Sequence, residues 1–247
     1  MRNIIEICCG SVEDVIKAEK GGADRVEFNS ALYLGGLTPS LASLIYLKER
    51  VSIPIICMVR TRGAGFTYSK EDVEVMCMDA ELLLKNGADG IAFGALRADR
   101  TIDVETNRKL IEITHKYNKE FVFHRAIDCV DNPIESIETL IKLGCDRVLT
   151  SGFRSTALEG IKHLKDLQFK YGNKIQFLMG GKVNSSNANQ LTQETGINQI
   201  HSSCKTWIVD PSTHNYYVSY AYGEYKSHYE CVDLDLVKQL VKTVKGE

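Results

Sequence analysis

Several absences narrow what this chain can be. It has no apolar run approaching the roughly 18 residues that a membrane-spanning helix needs. Its start, Met1-Arg2-Asn3 followed at once by Ile4-Ile5-Glu6-Ile7, lacks the layout of a signal peptide. A cytosolic protein is the expectation. Excess charge is also missing: a formal net charge of -2 supplies no long-range field for nucleic acid or an anionic membrane. Both are therefore set aside as partners. Of eight cysteines only Cys8 and Cys9 are adjacent, and none forms a CxxC spacing. That usage points to thiols kept in a reducing compartment rather than to a disulfide framework. No nucleophile elbow, P-loop or HExxH pattern occurs, so no nucleotide cofactor motif is read.

What is present is a repeated unit. Short apolar runs recur at 4–9, 25–29, 54–60, 90–96, 121–127, 147–152, 175–181 and 199–203, each reading as a strand. Helical stretches lie between and after them, at 12–20, 41–48, 70–85, 104–117, 134–142, 157–170, 186–194 and 234–245. The turns before strands two, four, six and eight read Gly22-Ala23-Asp24, Gly87-Ala88-Asp89, Gly144-Cys145-Asp146 and Gly196-Ile197-Asn198. Gly suits a left-handed helix stop, and Asp or Asn suits a tight turn before a strand. Eight βα units with a signature on every second strand predict a (β/α)₈ TIM barrel in one domain, with an open doubly wound sheet as the alternative.

In such barrels the site lies where strands end. The stretch from Phe121 to Asp128 reads as a buried strand with Val122, His124, Ala126 and Asp128 on one face and Phe121, Phe123 and Arg125 on the other. The same alternation turns Glu6, Cys8, Glu27, Asn29, Met58, Arg60, Ala92, Gly94, Gln199, His201 and Ser203 inward. So many ionisable groups inside a barrel must pair, stay wet or serve a ligand. His124 beside a carboxylate suits general acid or base work, with Glu6, Glu27, Asp128 or His201 in complementary roles. Arg60-Thr61-Arg62-Gly63 offers two guanidinium groups for a carboxylate or phosphate. Gly180 and Gly181 after strand seven, Ser151 after strand six, and Ser202 with Ser203 after strand eight stand where barrels hold phosphate. Because no lysine falls clearly on an inner face, a Schiff-base mechanism has little support. Soft donors near strand ends, Cys8, Cys9 and Met58, suit Cu(I). The long segment 204–231 carries Trp207, Tyr216, Tyr217, Tyr220, Tyr222, Tyr225 and Tyr229, and reads as a packed excursion, a subunit contact or a lid.

Six motifs in order carry a family resemblance: Glu6-Ile7-Cys8, Gly21 to Glu27, Gly35-Gly36-Leu37-Thr38-Pro39-Ser40, Met58 to Gly63, His124-Arg125-Ala126-Ile127-Asp128, and Leu149-Thr150-Ser151-Gly152. As a set they resemble the CutC copper-homeostasis family. The resemblance implies a TIM barrel, a cytosolic location, a homodimer and a role in handling copper. The chain departs from the family pattern at Asn29, where a Cys is usual, and at Phe153 and Lys182, in turns that are usually richer in Gly. Two functions follow as expectations. One is copper handling, with Cu(I) on Cys8 and Cys9. The other is an enzyme of lyase, aldolase or isomerase type, whose small anionic or phosphorylated metabolite is held by Arg60 and Arg62. A third, plainer reading is a scaffold that binds a partner through the tyrosine-rich segment.

Overall fold

The computed structural model describes residues 2–220 and 227–246. Its elements run β1 (Ile4–Cys9), α1 (Val12–Lys20), β2 (Arg25–Phe28), α2 (Leu41–Lys48), β3 (Ile55–Met58), α3 (Lys70–Lys85), β4 (Gly90–Phe93), α4 (Val104–Lys116), β5 (Glu120–Phe123), α5 (Pro133–Leu143), β6 (Arg147–Thr150), α6 (Ile161–Tyr171), β7 (Gln176–Met179), α7 (Ala188–Thr195), β8 (Gln199–Ser202), β9 (Lys205–Val209), β10 (His228–Val232) and α8 (Leu234–Lys245). Strands β1 to β8 are parallel and close on themselves through β8 and β1, giving the (β/α)₈ barrel that the repeat predicts. Among the described residues no helix is long and apolar enough to cross a membrane.

The repeated turns have a definite physical task. Gly22, Gly87, Gly144 and Gly196 all sit at positive φ, between 73° and 95°, where a side chain would be strained. The Asp that follows closes the base of the preceding odd strand. Asp24 accepts the Ile5 amide at 2.9 Å, Asp89 the Ile55 amide at 3.1 Å, and Asp146 the Phe121 amide at 2.8 Å. Each of these strands begins at a barrel rim, where an unpaired backbone donor would otherwise be buried. At the fourth turn Asn198 instead donates to the Arg2 carbonyl at 2.9 Å. Helix starts are capped in the expected manner: Ser11, Ser40, Ser69, Asp103 and Asp233 each accept a first-turn amide.

Two apolar layers result. Between strands and helices lies the large core, in which Phe28, Phe93, Phe121 and Phe123 are among the largest fully buried side chains. Inside the barrel lies a smaller cluster of Ile56, Met58, Ala92, Val122, Leu149 and Leu178, contributed by β3 to β7. The interior is thus divided. Strands β3 to β7 supply this hydrocarbon layer, while β8, β1 and β2 turn polar groups inward and are joined at the base of the barrel by Glu120, Arg147 and Gln176.

Two expectations about element limits are corrected. Strand β5 ends at Phe123, and Arg125–Cys129 forms a 3₁₀ turn that His124 caps by accepting the Ala126 amide on Nδ1 at 3.2 Å. A strand's alternation therefore does not carry His124, Ala126 and Asp128 to one face. The segment 204–231, read as a loop, contains an antiparallel hairpin of β9 and β10. Its base docks on α1, where Asp14 accepts the Val232 amide at 2.6 Å, while Tyr216, Tyr217 and Tyr220 stand exposed. Tyr222 and Tyr225 fall outside the described residues.

Candidate functional site

Closure of the barrel brings β8, β1 and β2 side by side, and their inward residues form a chain of charges. Arg25 Nε donates to Glu6 Oε2 at 2.5 Å, and His201 Nδ1 donates to Glu6 Oε1 at 2.8 Å. The pair holds the Glu6 carboxyl well below the usual range against the opposing effect of burial. His201 is pushed above its ordinary value: burial opposes this, but the hydrogen bond to Glu6 and the negative charge of Glu27 and Glu6 prevail. Below them Arg25 continues to Gln199 Oε1 at 3.0 Å, Gln199 to Gln176 Oε1 at 2.6 Å, and Arg147 to Gln176 and Glu120. This network forms a polar floor to the barrel. Each buried cation in it reaches a carboxylate or amide oxygen.

Above the floor, Cys8, Glu27 and His201 present donor atoms within 4.8 Å of one another. Glu27 is buried, and desolvation raises its carboxyl above the usual value, so its protonated form is favoured relative to a free carboxyl. Asn29 Nδ2 donates to Glu27 Oε2 at 3.0 Å, and the Cys8 thiol lies 3.6 Å from the same oxygen. Burial first, then the Glu27 charge, push the Cys8 thiol up, so it stays protonated unless a cation compensates. Thiol, carboxyl and imidazole with a carboxylate behind the imidazole are the groups from which a metal site is built. Glu6 ties Nδ1 and leaves Nε2 as the ring nitrogen free to ligate.

The sequence model of the CutC family matches residues 3–206. The chain belongs to the CutC family. A CutC family protein of Treponema denticola is 45% identical over 214 residues, covering 86% of each chain. The Homo sapiens copper homeostasis protein cutC homolog is 41% identical over 203 residues, which is 82% of this chain and 74% of the human one. The crystal structure of CutC from Streptococcus agalactiae superposes with a TM-score of 0.76 at 31% identity, covering 81% of this chain and 98% of that one. All but the first two residues of the β9–β10 hairpin, and the whole of α8, lie beyond the family match.

Within this CutC barrel the other expected site residues part company. Cys8 faces the barrel interior, but Cys9 is fully buried on the helix side, its thiol on the Ile7 carbonyl. Adjacent residues on a strand point to opposite faces, so the two thiols cannot share one ion. Arg60 is buried and wrapped by carbonyls of two loops, Leu34 and Gly36 on Nη1 and Ala64 on Nη2 at 2.5 Å, with Nε unpartnered. Arg62 points elsewhere, half-exposed on Asp72 and on the carbonyls of Gly63 and Thr67. The two arginines do not converge on one anion. Ser202 is buried with its hydroxyl donating to the Val183 carbonyl at 2.6 Å, so strand eight builds no phosphate cradle with it, and Ser203 is exposed.

Asp128 is saturated. It accepts from Thr150 Oγ1 at 2.5 Å, the amides of Ser151 and Phe153, the Ser151 hydroxyl and Arg125 Nε at 2.8 Å. Through these bonds it ties together the loops after β5 and β6. The residue that alternation misplaced is Arg125. Because the 3₁₀ turn begins there, its guanidinium swings into the mouth, where its charge is felt by His201. A His-Arg-Ala-Ile-Asp run whose Asp lies three residues after the Arg is the one sequence signal of such a turn.

His124 is buried against Phe66 and Phe123, with Nε2 unpartnered. Burial, reinforced by the nearby Arg60 charge, lowers it from 6.5 to about 3. It is therefore a neutral imidazole protonated on Nε2, since Nδ1 accepts the Ala126 amide. The unfolded chain binds a proton at 6.5 and the native one does not until about 3. Stability from this group is complete above the higher value and falls as pH drops between the two, by up to about 1.4 kcal/mol per pH unit. Imidazole nitrogen shifts of His124 that stay those of the neutral ring down to pH 5 are expected. A normal titration near 6.5 would contradict the burial seen here.

Proposed function

We propose that this CutC-family protein serves copper homeostasis by holding one copper ion at Cys8, Glu27 and His201. The observation that carries the reading is the approach of these three donors to within 4.8 Å, with Glu6 fixed behind His201 at 2.8 Å. The donor set fits copper in its chemistry: thiolate and imidazole are ligands Cu(I) accepts, whereas the Glu27 oxygen is a harder donor that suits Cu(II) better. Copper bound here would supply a positive charge to a place where burial raises both a thiol and a carboxyl above their ordinary values. Binding must then release the Cys8 proton, so affinity rises with pH across the neutral range.

The test is a competition titration of the reduced, metal-free protein against a chromophoric Cu(I) chelator. One-to-one binding is expected, lost in Cys8→Ser and His201→Ala and unchanged in Cys9→Ser. Glu6→Gln leaves the three ligands in place but removes the carboxylate behind His201, and is expected to weaken binding about 10- to 100-fold. Cu(I) affinity that survives in Cys8→Ser would end this reading.

A second reading is catalytic and draws on the same side chains. The Glu6–His201 pair and the protonated tendency of Glu27 put a base and an acid side by side, as proton transfer on a small metabolite requires. Lyase, aldolase or isomerase chemistry is compatible with that pair. Loss of turnover on a found substrate in both Glu27→Gln and His201→Ala, with copper-free protein active, would support it over the first.

A further inference from the structure

Next to the Cys8–Glu27–His201 group, the loops after β5, β6 and β7 meet around one guanidinium. Arg125 is held from two sides: Nε on Asp128 at 2.8 Å and Nη2 on Ser151 Oγ at 2.7 Å. Its plane is thereby set before any ligand arrives, and its side chain is still 41% exposed. Among the described residues Nη1 makes no hydrogen bond. It faces the turn Gly180-Gly181-Lys182. A Cβ at Gly181 would lie 3.5 Å from Arg125 Cζ and Nη1, and one at Gly180 would lie 3.5 Å from His201 Cδ2. The bare turn therefore runs from the imidazole on one side to the guanidinium on the other. Gly181 at φ 96° and Lys182 at φ 57° bend the backbone there, and among the described residues no main-chain carbonyl takes either amide.

We infer that Arg125, Ser151 and the Gly180-Gly181-Lys182 turn form a binding site for a phosphate-type oxyanion of a small molecule. The free Nη1 edge supplies a charge-assisted donor, and the two amides supply the directions that a tetrahedral group can fill and a planar one cannot fill as well. Asp128 engages Arg125 through Nε alone and shares its carboxylate with the Ser151 and Phe153 amides and the Thr150 hydroxyl, so the Nη1 edge keeps its own donor capacity. Arg154 and Lys182 stand exposed on the same loops and add positive field. A molecule anchored there would extend past Gly180 toward His201, so the oxyanion site and the donor group would read two ends of one ligand. The site stands apart from the copper proposal, since none of its residues is a proposed copper ligand.

The experiment is a titration of metal-free protein with inorganic phosphate, followed by backbone amide NMR at constant ionic strength maintained with chloride. Saturable shifts at the Gly181 and Lys182 amides of the wild type are expected. Arg125→Gln should weaken binding about tenfold or more, the loss of one charged hydrogen bond. Arg62→Gln, at a half-exposed arginine on the loop after β3, should leave it unchanged. Acetate should bind more weakly than phosphate. Absence of a saturable shift in the wild type overturns the proposal without recourse to any variant. Equal binding by Arg125→Gln overturns the role of Arg125, and equal response to acetate overturns the phosphate assignment. Copper-binding results leave each of these outcomes as it stands.

Discussion

Glu6→Ala is expected to be among the most destabilising single changes in this barrel, by about 3–5 kcal/mol in a denaturant unfolding experiment. The carboxylate lies 2.5 Å from Arg25 and 2.8 Å from His201, and only 2% of its side chain is exposed. Removal leaves a buried guanidinium with one remaining partner, Gln199, which carries no charge. The cost arises mainly from that uncompensated cation rather than from two lost hydrogen bonds. Glu6→Gln keeps the shape and an acceptor oxygen, so it should be milder than Glu6→Ala. Arg62→Ala, which breaks a half-exposed ion pair with Asp72 at 3.5 Å, should cost no more than about 1 kcal/mol. If Glu6→Ala and Arg62→Ala were equally mild, the pairing described for the barrel floor would be wrong. The pH dependence has a definite sign on both sides. The pair's contribution is present where Glu6 is ionised and His201 protonated. It falls in acid as Glu6 is neutralised, and in base as pH passes the raised His201 value.

Gly160→Ala should be comparably severe, at about 3 kcal/mol or more, for a wholly steric reason. A Cβ at this position would stand 1.8 Å from the Ser151 carbonyl oxygen and 3.0 Å from Gly152 Cα. Both are backbone atoms, so no rotamer change relieves the contact. The β6–α6 loop must move, and with it Ser151, whose amide and hydroxyl hold Asp128 and whose oxygen accepts from Arg125. A shifted urea midpoint together with loss of phosphate-dependent shifts at Gly181 is the expected signature. Substitution at Gly65, where an added Cβ meets nothing within 4 Å, is the control and should lie within about 0.5 kcal/mol of wild type.

Much of the barrel was legible before any coordinates. The Gly-x-Asp turns announced themselves because each does a local job: a left-handed stop for the helix and a carboxylate cap for the strand before it. Alternation along β1, β2 and β8 placed Glu6, Cys8, Glu27 and His201 correctly on the inner face, since a strand's period of two holds wherever the strand persists. It failed at β5 because the strand stops at Phe123: His124-Arg125 interrupts the apolar run there, but Ala126-Ile127 resumes it, so strand and turn read as one stretch. His124 consequently turned out neutral and sealed, Asp128 saturated, and Arg125 directed into the mouth. Arg25, which anchors the whole floor, opens its strand next to a turn signal, where a charged residue ordinarily reads as solvent-facing.

By itself the amino-acid sequence determined the number of βα units, the turns that join them, and which residues each persistent strand offers to the interior, because those properties depend on neighbours close along the chain. Only the tertiary structure decided which offers meet. Glu6 and His201 are 195 residues apart and become partners through the pairing of β8 with β1 that closes the barrel. Cys8 and Cys9, joined by a peptide bond, are separated by the sheet itself. Whether a charge is bare, paired or wrapped in carbonyls is likewise a property of what surrounds it in space, and burial and electrostatics act across space without regard to separation along the chain.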